Sequence, residues 1–378
     1  MSRTCIYILI VIVLFTSCDK KGAISTDSLK KYTIEYSNDF FQWDELVKNV
    51  IPIPLETADD ALIANCTQGI IYEKDIYIFD IRLGKIANFS ITGEYKGGVG
   101  IKGSGPGEYV EVRDFCIAGN NIYILDYKKI HCFNRSTRKF VESWAIDGRN
   151  NFNPSQLLVF NKHNYFLWCS NPDTWDKDNG EYYRLRKVKE GSIENEYFKY
   201  KYRTSDDPRF YFNRAYYYLK PIDGEDIVYK LTKDSISASF AIDFGKYSMS
   251  SEKIDELRKS KERNAYLKSN FCKAISNIFE TKDYIYFKCI GPGARTYEGL
   301  INKRTEEIKF GLWDFKRSPH IFFSDGIFLY GYYEPYVLIE NQTNGNDLNR
   351  CFDPVFDLKN IDICLLYTSD AADDRISV

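Results

Sequence analysis

Short apolar runs recur along the chain, and each combines β-branched with aromatic side chains. The run IYIFD at residues 76–80 returns as IYILD at residues 122–126, with looser copies at residues 226–230, 284–288 and 326–330. Such runs favour β-strands, because these side chains pack well on a pleated surface. A repeat of about 40–50 residues is typical of the four-stranded blades of a β-propeller. The pattern therefore predicts an all-β propeller.

The repeat predicts about six blades, which lies within the usual range of roughly four to eight. The predicted units cover residues 70–100, 115–146, 157–200, 216–244, 275–315 and 321–341. Turns are predicted where polar residues and glycine separate the runs, as at residues 73–75, 92–93 and 119–121. Upstream, residues 32–36 and 50–56 are predicted to be strands that lead into the first blade.

One segment departs from the strand pattern. Residues 250–273 contain many helix-forming residues and few β-branched ones. Asp255 and Lys259 form an i,i+4 pair in the order that stabilises a helix. We therefore predict a helical insertion between two blades, which is either a decorated loop or a functional lid.

The first 17 residues have the features of an export signal. Arg3 precedes an apolar run at residues 6–15, which is too short to span a bilayer stably. The run ends in Phe-Thr-Ser before Cys18, and this sequence resembles the lipobox of bacterial lipoproteins. The resemblance implies that the signal is cut before Cys18 and that Cys18 is acylated. Residues 18–31 would then be a tether that holds the protein on a membrane outside the cytoplasm.

The last residues do not resemble a protein segment. Residues 364–378 resemble the translation of a transposase sequencing adapter. Such additions are excluded from fold reasoning, so the propeller is predicted to occupy residues 32–363. We also expect its last strand to be missing, which would leave an open sheet edge.

Composition supports a large core and argues against nucleic acid as a partner. The 378 residues are 44% hydrophobic and 16% aromatic, and 51 basic against 53 acidic residues give a net charge of −2. Nucleic-acid binding requires a concentrated basic surface. Of the ten cysteines, seven fall within residues 32–363 and none forms a Cys-x-x-Cys pair. We predict small buried apolar cysteines, although disulfides stay possible in an exported protein, and we predict no cofactor.

A glycine-rich stretch follows the first repeat. Residues 98–103 match G-x-G-x-x-G, but the following Ser-Gly-Pro-Gly cannot open the helix that a dinucleotide cradle needs. We therefore interpret the stretch as a connection between blades. Within it, Gly105, Gly107, Glu108 and Tyr109 are candidate ligand-binding residues, since glycines expose backbone N–H groups and a carboxylate accepts hydrogen bonds. Alternatively, Glu108 and Tyr109 pin the loop onto the next blade.

A second candidate lies in the insertion at residues 171–180. Trp175 could stack on a sugar ring, while Asp176 and Asp178 could bind its hydroxyl groups or calcium; the alternative is an exposed hairpin tip. His131, His163 and His320 fall in different units and lack the spacing of metal ligands. No metal site and no catalytic residue is therefore predicted.

Residues 53–57, 76–80, 105–109 and 122–126 together resemble the six-bladed, NHL-like β-propeller lipoproteins of Bacteroidetes. The resemblance implies a fold and a location in the cell envelope, at the outer membrane and facing the periplasm or the surface. It supplies no catalytic residues. The function that we predict is binding of a ligand or protein partner, such as a glycan or peptide during nutrient uptake. Two alternatives are a metal-dependent hydrolase or lyase, and a structural platform in an outer-membrane complex.

Overall fold

The computed structural model describes residues 24, 26, 29–43, 46–47, 51, 53–127, 129–146, 152–169, 183–199, 210–213, 216–219, 225–259, 265–272 and 274–333. Cys18, the predicted export signal and residues 364–378 lie outside the described residues. The predicted division of the chain into signal, tether, propeller and added tail therefore stays a prediction.

The described residues form a β-propeller, as the repeat predicts. The first strand is β1 (Lys30–Thr33). Blade 1 contains β2 (Gln68–Tyr72), β3 (Asp75–Asp80), β4 (Lys85–Ser90) and β5 (Tyr95–Gly98). Blade 2 contains β6 (Asp114–Ala118), β7 (Asn121–Asp126), β8 (Lys129–Asn134) and β9 (Phe140–Ala145). Blade 3 contains β10 (Gln156–Asn161), β11 (Asn164–Trp168), β12 (Tyr183–Lys189) and β13 (Ser192–Lys199).

Two further blades follow the same antiparallel plan. Blade 4 contains β14 (Tyr211–Asn213), β15 (Tyr216–Leu219), β16 (Ile227–Leu231) and β17 (Ile236–Asp243), with β1 added at the outer edge. Blade 5 contains β18 (Ala274–Glu280), β19 (Tyr284–Ile290), β20 (Thr296–Asn302) and β21 (Ile308–Leu312). In each blade the first strand along the chain, here called the inner strand, is the one that faces the centre of the ring.

A sixth sheet has two strands within the described residues, β22 (His320–Ser324) and β23 (Leu329–Tyr332). The prediction of six four-stranded blades is therefore not confirmed, since the described part of the chain has five. Strand β22 packs against β18 of blade 5 and β2 of blade 1. The two-stranded sheet thus lies where the ring closes.

The recurring apolar runs form the second strands of blades 1 and 2, namely β3 and β7. Tyr77 and Phe79 of β3 are almost fully buried and pack in one cluster with Phe115 and Ile124 of blade 2. The predicted turn before β3 is also present, with Glu73 at a φ of 56°. Alternate residues of each run therefore serve the two faces of a blade, and neighbouring blades share a core.

Residues 30–43 do not lead into blade 1, so that prediction is wrong. Strand β1 instead pairs in parallel with β17 of blade 4. Further on, Phe40 forms a parallel bridge with Leu312 of blade 5, and the Trp43 indole donates a hydrogen bond to Glu298 at 2.9 Å. An outer strand leaves backbone N–H and C=O groups unpaired, and here this segment, which we call the strap, satisfies them on two blades.

The described part of residues 50–56 is not a strand either. Pro54 has no N–H to donate to a ladder. The Glu56 N–H bonds the Gly93 carbonyl at 2.8 Å, and the Glu56 carboxylate accepts the Tyr95 N–H at 2.8 Å. The segment therefore lies against the last turn of blade 1.

The predicted helical insertion is present between blades 4 and 5 as α1 (Ser251–Lys259) and α2 (Ala265–Lys268). Among the described residues, no helix is long and apolar enough to cross a bilayer. The six described cysteines form no disulfide with one another, and five of them are buried: Cys116, Cys132, Cys169, Cys272 and Cys289. This agrees with their prediction as small buried side chains, while Cys351 lies outside the described residues.

Candidate functional site

The inner strands of the six sheets converge on a cavity of about 240 Å³ along the axis of the ring. We call this cavity the channel. Gln68, Asp114 and His320, the first residues of β2, β6 and β22, lie at one end of its lining. Tyr72, the last residue of β2, also contributes to the lining. Groups from both ends of β2 therefore face the same space.

Side chains at this mouth also tie neighbouring inner strands together. The Gln68 amide nitrogen donates a hydrogen bond to the Phe115 carbonyl of β6 at 3.1 Å. One oxygen of Asp114 accepts the backbone N–H of Leu157 in β10 at 2.8 Å. Because each bond links two blades, the mouth is held in shape by the same residues that line it.

The closing point of the ring depends on a glycine. A Cβ atom at Gly69 would lie 2.2 Å from the ring of Phe322, so any side chain there would overlap that ring. Nearby, the Asn277 amide donates a hydrogen bond to the Ile321 carbonyl at 3.1 Å, which joins β18 to β22. Because Gly69 has no side chain, the aromatic ring of Phe322 can lie against strand β2 and line the channel.

Aromatic residues are the most frequent class in the channel lining. Phe212 of β14 and Phe323 of β22 stack at a centroid distance of 6.0 Å and an interplanar angle of 13°. The Tyr217 ring meets Phe212 edge-on at 5.3 Å. Burial raises the pKa of Tyr217, so its phenol stays protonated and can donate a hydrogen bond.

One polar atom of the lining has no partner. Gln68 Oε1 is buried and accepts no hydrogen bond from the described residues. Buried polar atoms are nearly always hydrogen-bonded, and an unmet acceptor costs about 1–3 kcal/mol. Gln156 Oε1, at the start of β10, is in the same condition, but Gln156 does not line the channel. Because Gln68 itself lines the channel, its amide is the candidate polar group to bond a molecule there.

His320 is enclosed by aromatic rings. It stacks on Tyr332 with centroids 4.9 Å apart and meets Trp313 edge-on at 4.8 Å. Burial, assisted by the charge of Lys288, lowers the pKa of His320 to about 4. The imidazole is therefore neutral at neutral pH and can act as a donor or an acceptor without carrying charge.

Beside Trp313 lies a buried pair of ionisable residues, Glu298 and Lys288, and Glu298 is hydrogen-bonded to the strap. Glu298 is fully buried and accepts hydrogen bonds from the Tyr286 hydroxyl at 2.6 Å and the Trp43 indole at 2.9 Å. Lys288 Nζ lies 3.8 Å from Glu298 and 4.2 Å from the centroid of Trp313. Burial raises the pKa of Glu298 and lowers that of Lys288, because it disfavours both charges.

The loop predicted to bind a ligand makes its contacts with the protein itself. Glu108 accepts the Gly105 N–H at 2.8 Å, and Tyr109 is buried in the core between blades 1 and 2. Gly107 has a φ of 80° and faces the ring of Phe140. None of these loop residues lines the channel, and ligand binding by them stays a prediction. The other candidates, Trp175, Asp176 and Asp178, lie outside the described residues.

No metal centre is assembled in the described part of the chain, where no three His, Cys, Asp or Glu residues are grouped to hold an ion. His131 contacts Asp126 at 3.3 Å and His163 contacts Glu190 at 3.1 Å, each within its own blade. Only His320 lines the channel among the described histidines. The described residues His131, His163 and His320 are therefore not brought together.

Sequence reasoning did not bring the channel residues together, because they are spread over separate strands of the ring: His320 was considered only as a metal ligand, and Gln68 and Asp114 belong to no motif. A usable signal does exist. Gln68, Asp114, Gln156 and His320 are each the first residue of an inner strand, and each is a polar residue directly before an apolar run. A polar residue that recurs at this position in successive repeats predicts a polar ring at one mouth of the channel.

The sequence was compared with protein families and with curated proteins. The family model described as "Domain of unknown function (DUF4934)" matches residues 32–353. No curated protein matches the sequence of this chain.

Comparison with solved structures includes a match in fold over most of the chain. A protein from Bacteroides fragilis that is described as exported aligns with a TM-score of 0.71 and 15% identity, covering 86% of this chain and 93% of that chain. At this identity the likeness shows the fold alone. A DUF4221 family member from Bacteroides vulgatus (TM-score 0.43, 12% identity, 68% and 83% covered) and virginiamycin B lyase from Staphylococcus aureus (0.35, 10%, 64% and 68%) are too distant to support any inference.

Proposed function

We propose that this chain, which belongs to the DUF4934 family, is an exported propeller of the cell envelope that binds a small polar ligand in its channel. The observation that carries the proposal is the cavity where the inner strands converge, with Gln68 Oε1 buried in its wall and unpartnered among the described residues. A concave site with aromatic walls and a few convergent polar groups is the usual form of a ligand pocket.

The size of the channel limits the ligand. Its volume of about 240 Å³ lies below the roughly 300–1,000 Å³ of pockets for drug-sized molecules. A single sugar ring or the end of a peptide is of suitable size. Aromatic faces and neutral polar groups such as His320 can serve either class, so a glycan or a peptide is the proposed ligand.

Location and blade number are part of the same proposal. The structural relative described as exported supports export, and acylation of Cys18 would place the propeller on the membrane. We propose a six-bladed ring, because β22 and β23 occupy the place of a sixth blade between blades 5 and 1. The relationship to NHL-like propellers also belongs to the proposal.

The test is a thermal-shift and calorimetric screen of the purified protein with monosaccharides, dipeptides, calcium and EDTA. A ligand at 100 times its Kd stabilises the folded state by about 2.7 kcal/mol, which shifts the melting temperature measurably. We expect a sugar or dipeptide to bind and Gln68→Met to weaken that binding. Gln156→Met is the matched control, since it removes the same kind of buried acceptor from a residue that does not line the channel.

The other outcomes would favour the alternatives. If both glutamine variants weaken binding equally, or if neither does, the ligand does not bind at Gln68. Melting that is sensitive to EDTA would favour a metal-dependent enzyme. If no compound changes the melting temperature, the channel proposal fails and a structural platform becomes the better explanation.

A further inference from the structure

The strap reaches the interior of blade 5 at Trp43. This residue is only 9% exposed, and its indole N–H donates a hydrogen bond to the fully buried Glu298 at 2.9 Å. At blade 4 the strap is held by different contacts, which include the edge-on contact of Tyr32 with Phe240 at a centroid distance of 5.8 Å. The Trp43 contact is therefore a separate point of attachment.

Glu298 joins the strap to a buried amine. Its position in β20 is directly opposite Lys288 of β19, so both side chains project from the same face of blade 5. Lys288 Nζ lies 3.8 Å from one carboxylate oxygen, which also accepts the Tyr286 hydroxyl at 2.6 Å. The Trp43 indole is bonded to the other oxygen. The carboxylate is therefore held between the strap and Lys288.

Lys288 and Trp313 continue this series of contacts to the channel. Lys288 Nζ lies 4.2 Å from the centroid of the Trp313 ring, and Trp313 meets the His320 ring edge-on at 4.8 Å. His320 itself lines the channel. Trp313 Nε1 is buried and has no hydrogen-bond partner among the described residues, so the position of the indole depends on its contacts with neighbouring side chains. A continuous series of contacts therefore runs from the strap to the channel wall.

We infer that Trp43 is a positioning residue for the channel, and that docking of the strap at Trp43 fixes the place of the His320 ring in the channel wall. Because Trp43 does not line the channel, it acts through the side chains that lie between. This link goes beyond the proposed function and can be tested without a ligand. Its consequence, that a molecule in the channel binds less tightly when the strap is released, rests on the proposed function.

The physical basis of the link is the charge of Glu298. A hydrogen bond to the charged form of a carboxyl group favours that form, so the Trp43 bond opposes the rise in pKa that burial causes at Glu298. Without the bond, Glu298 carries less negative charge and attracts Lys288 less strongly. The ammonium group is then held less firmly against the Trp313 ring, and the Trp313 and His320 rings lose a fixed neighbour.

The test follows the imidazole signals of isotope-labelled histidine by NMR at neutral pH. The chain has three histidines, and His320→Gln identifies the signal of His320. Trp43→Phe keeps an aromatic ring but removes the N–H donor to Glu298. We expect this variant to shift the His320 signal more than the signals of His131 and His163, which lie in blades 2 and 3.

Two further variants separate the link from a general loosening of the strap. Tyr32→Leu removes the ring contact with Phe240 at blade 4 and leaves the Trp43 bond in place, so the His320 signal should not move. Lys288→Met interrupts the series of contacts between Glu298 and Trp313. Adding Trp43→Phe to Lys288→Met should therefore cause no further shift of the His320 signal.

Limited proteolysis gives a second measurement, which does not depend on Trp43→Phe. Lys288→Met removes a cation that favours the charged form of Glu298, so the Trp43 indole is left with a weaker, neutral acceptor. We expect protease to cut the strap at least about fivefold faster than in the unaltered protein, equivalent to about 1 kcal/mol. Lys309→Met is the control, because it changes an exposed lysine of blade 5 and should leave the rate unchanged.

Two results would overturn the inference. The first is a His320 signal that does not move in Trp43→Phe, or that moves equally in Tyr32→Leu. The second is cleavage of the strap in Lys288→Met at the same rate as in Lys309→Met, and this result decides the question if Trp43→Phe does not fold. Neither measurement uses a ligand, so the proposed function stands or fails separately, in its own screen.

Discussion

Asp80 ends the recurring run of blade 1, and its replacement tests why that run recurs. One carboxylate oxygen accepts the N–H groups of Ala64 and Asn65 at 2.6 and 3.1 Å. The other accepts those of Arg82 and Leu83 at 2.9 and 3.0 Å. The side chain therefore joins the segment before β2 to the turn after β3, and it fixes one end of the blade.

Substitution by asparagine keeps the shape but replaces one oxygen by an NH₂ group that cannot accept. Whichever oxygen is lost, two backbone N–H groups lose their acceptor. An unsatisfied buried donor costs about 1–3 kcal/mol. Because these bonds are only partly buried, the lower value of about 1 kcal/mol applies to each of the two N–H groups. We therefore expect Asp80→Asn to lower the free energy of unfolding by about 2 kcal/mol.

Asp126 at the same position of blade 2 provides the matched control. It accepts one backbone N–H on each oxygen, from Val110 at 3.0 Å and Glu111 at 3.1 Å. Its Oδ2 also lies 3.3 Å from His131 Nε2, so in Asp126→Asn the amide NH₂ is expected at the Oδ1 position, where one backbone N–H loses its acceptor. The substitution should therefore cost about half as much, or about 1 kcal/mol. Urea denaturation followed by fluorescence measures both values. A cost for Asp80→Asn that is no larger than that for Asp126→Asn would refute the explanation by counting hydrogen bonds.

Three other substitutions test further parts of the structure. Gly69→Ala should destabilise the protein by more than about 1 kcal/mol because its Cβ overlaps an aromatic ring, whereas Gly98→Ala, with space for a Cβ, should cost less in the same urea assay. Trp43→Phe removes a donor to buried Glu298 and should cost about 1–3 kcal/mol, and limited proteolysis should then cut the strap faster. The depressed pKa of His320, about 4, means that the folded state binds fewer protons than the unfolded state between about pH 6.5 and 4. The stability that the neutral His320 ring contributes is therefore complete above about pH 6.5 and is lost as pH falls towards 4. His320→Gln should flatten this part of the plot of unfolding free energy against pH. An unchanged plot would contradict the burial of this ring.

The blades could be predicted from the sequence because their signals are local. The β-branched and aromatic residues of IYIFD and IYILD specify strands, and polar turns at residues 73–75 and 119–121 specify hairpins. The insertion at residues 250–273 is likewise specified by its local helix-forming residues. The two repeats with matching runs both form four-stranded blades in the structure, blades 1 and 2.

The strap could not be placed from sequence, because its pairing is decided by distant partners. Strand β1 has ordinary strand-forming residues, and only the free edge of β17, about 200 residues later along the chain, determines where it pairs. The channel presents the same difficulty. Gln68 and His320 lie about 250 residues apart and meet only when the ring closes at Gly69 and Phe322. Glu108 looked like a ligand residue, but its nearest backbone donor belongs to its own loop.

The position of a bound ligand tests the central claim most directly. A crystal structure of the protein with the tightest-binding compound from the screen would locate it. We predict electron density inside the channel, within hydrogen-bond distance of Gln68 Oε1 and in contact with the rings of Tyr217 and Phe322. Density on the loop from Gly105 to Tyr109, or elsewhere on the outer surface with the channel empty, would contradict the account.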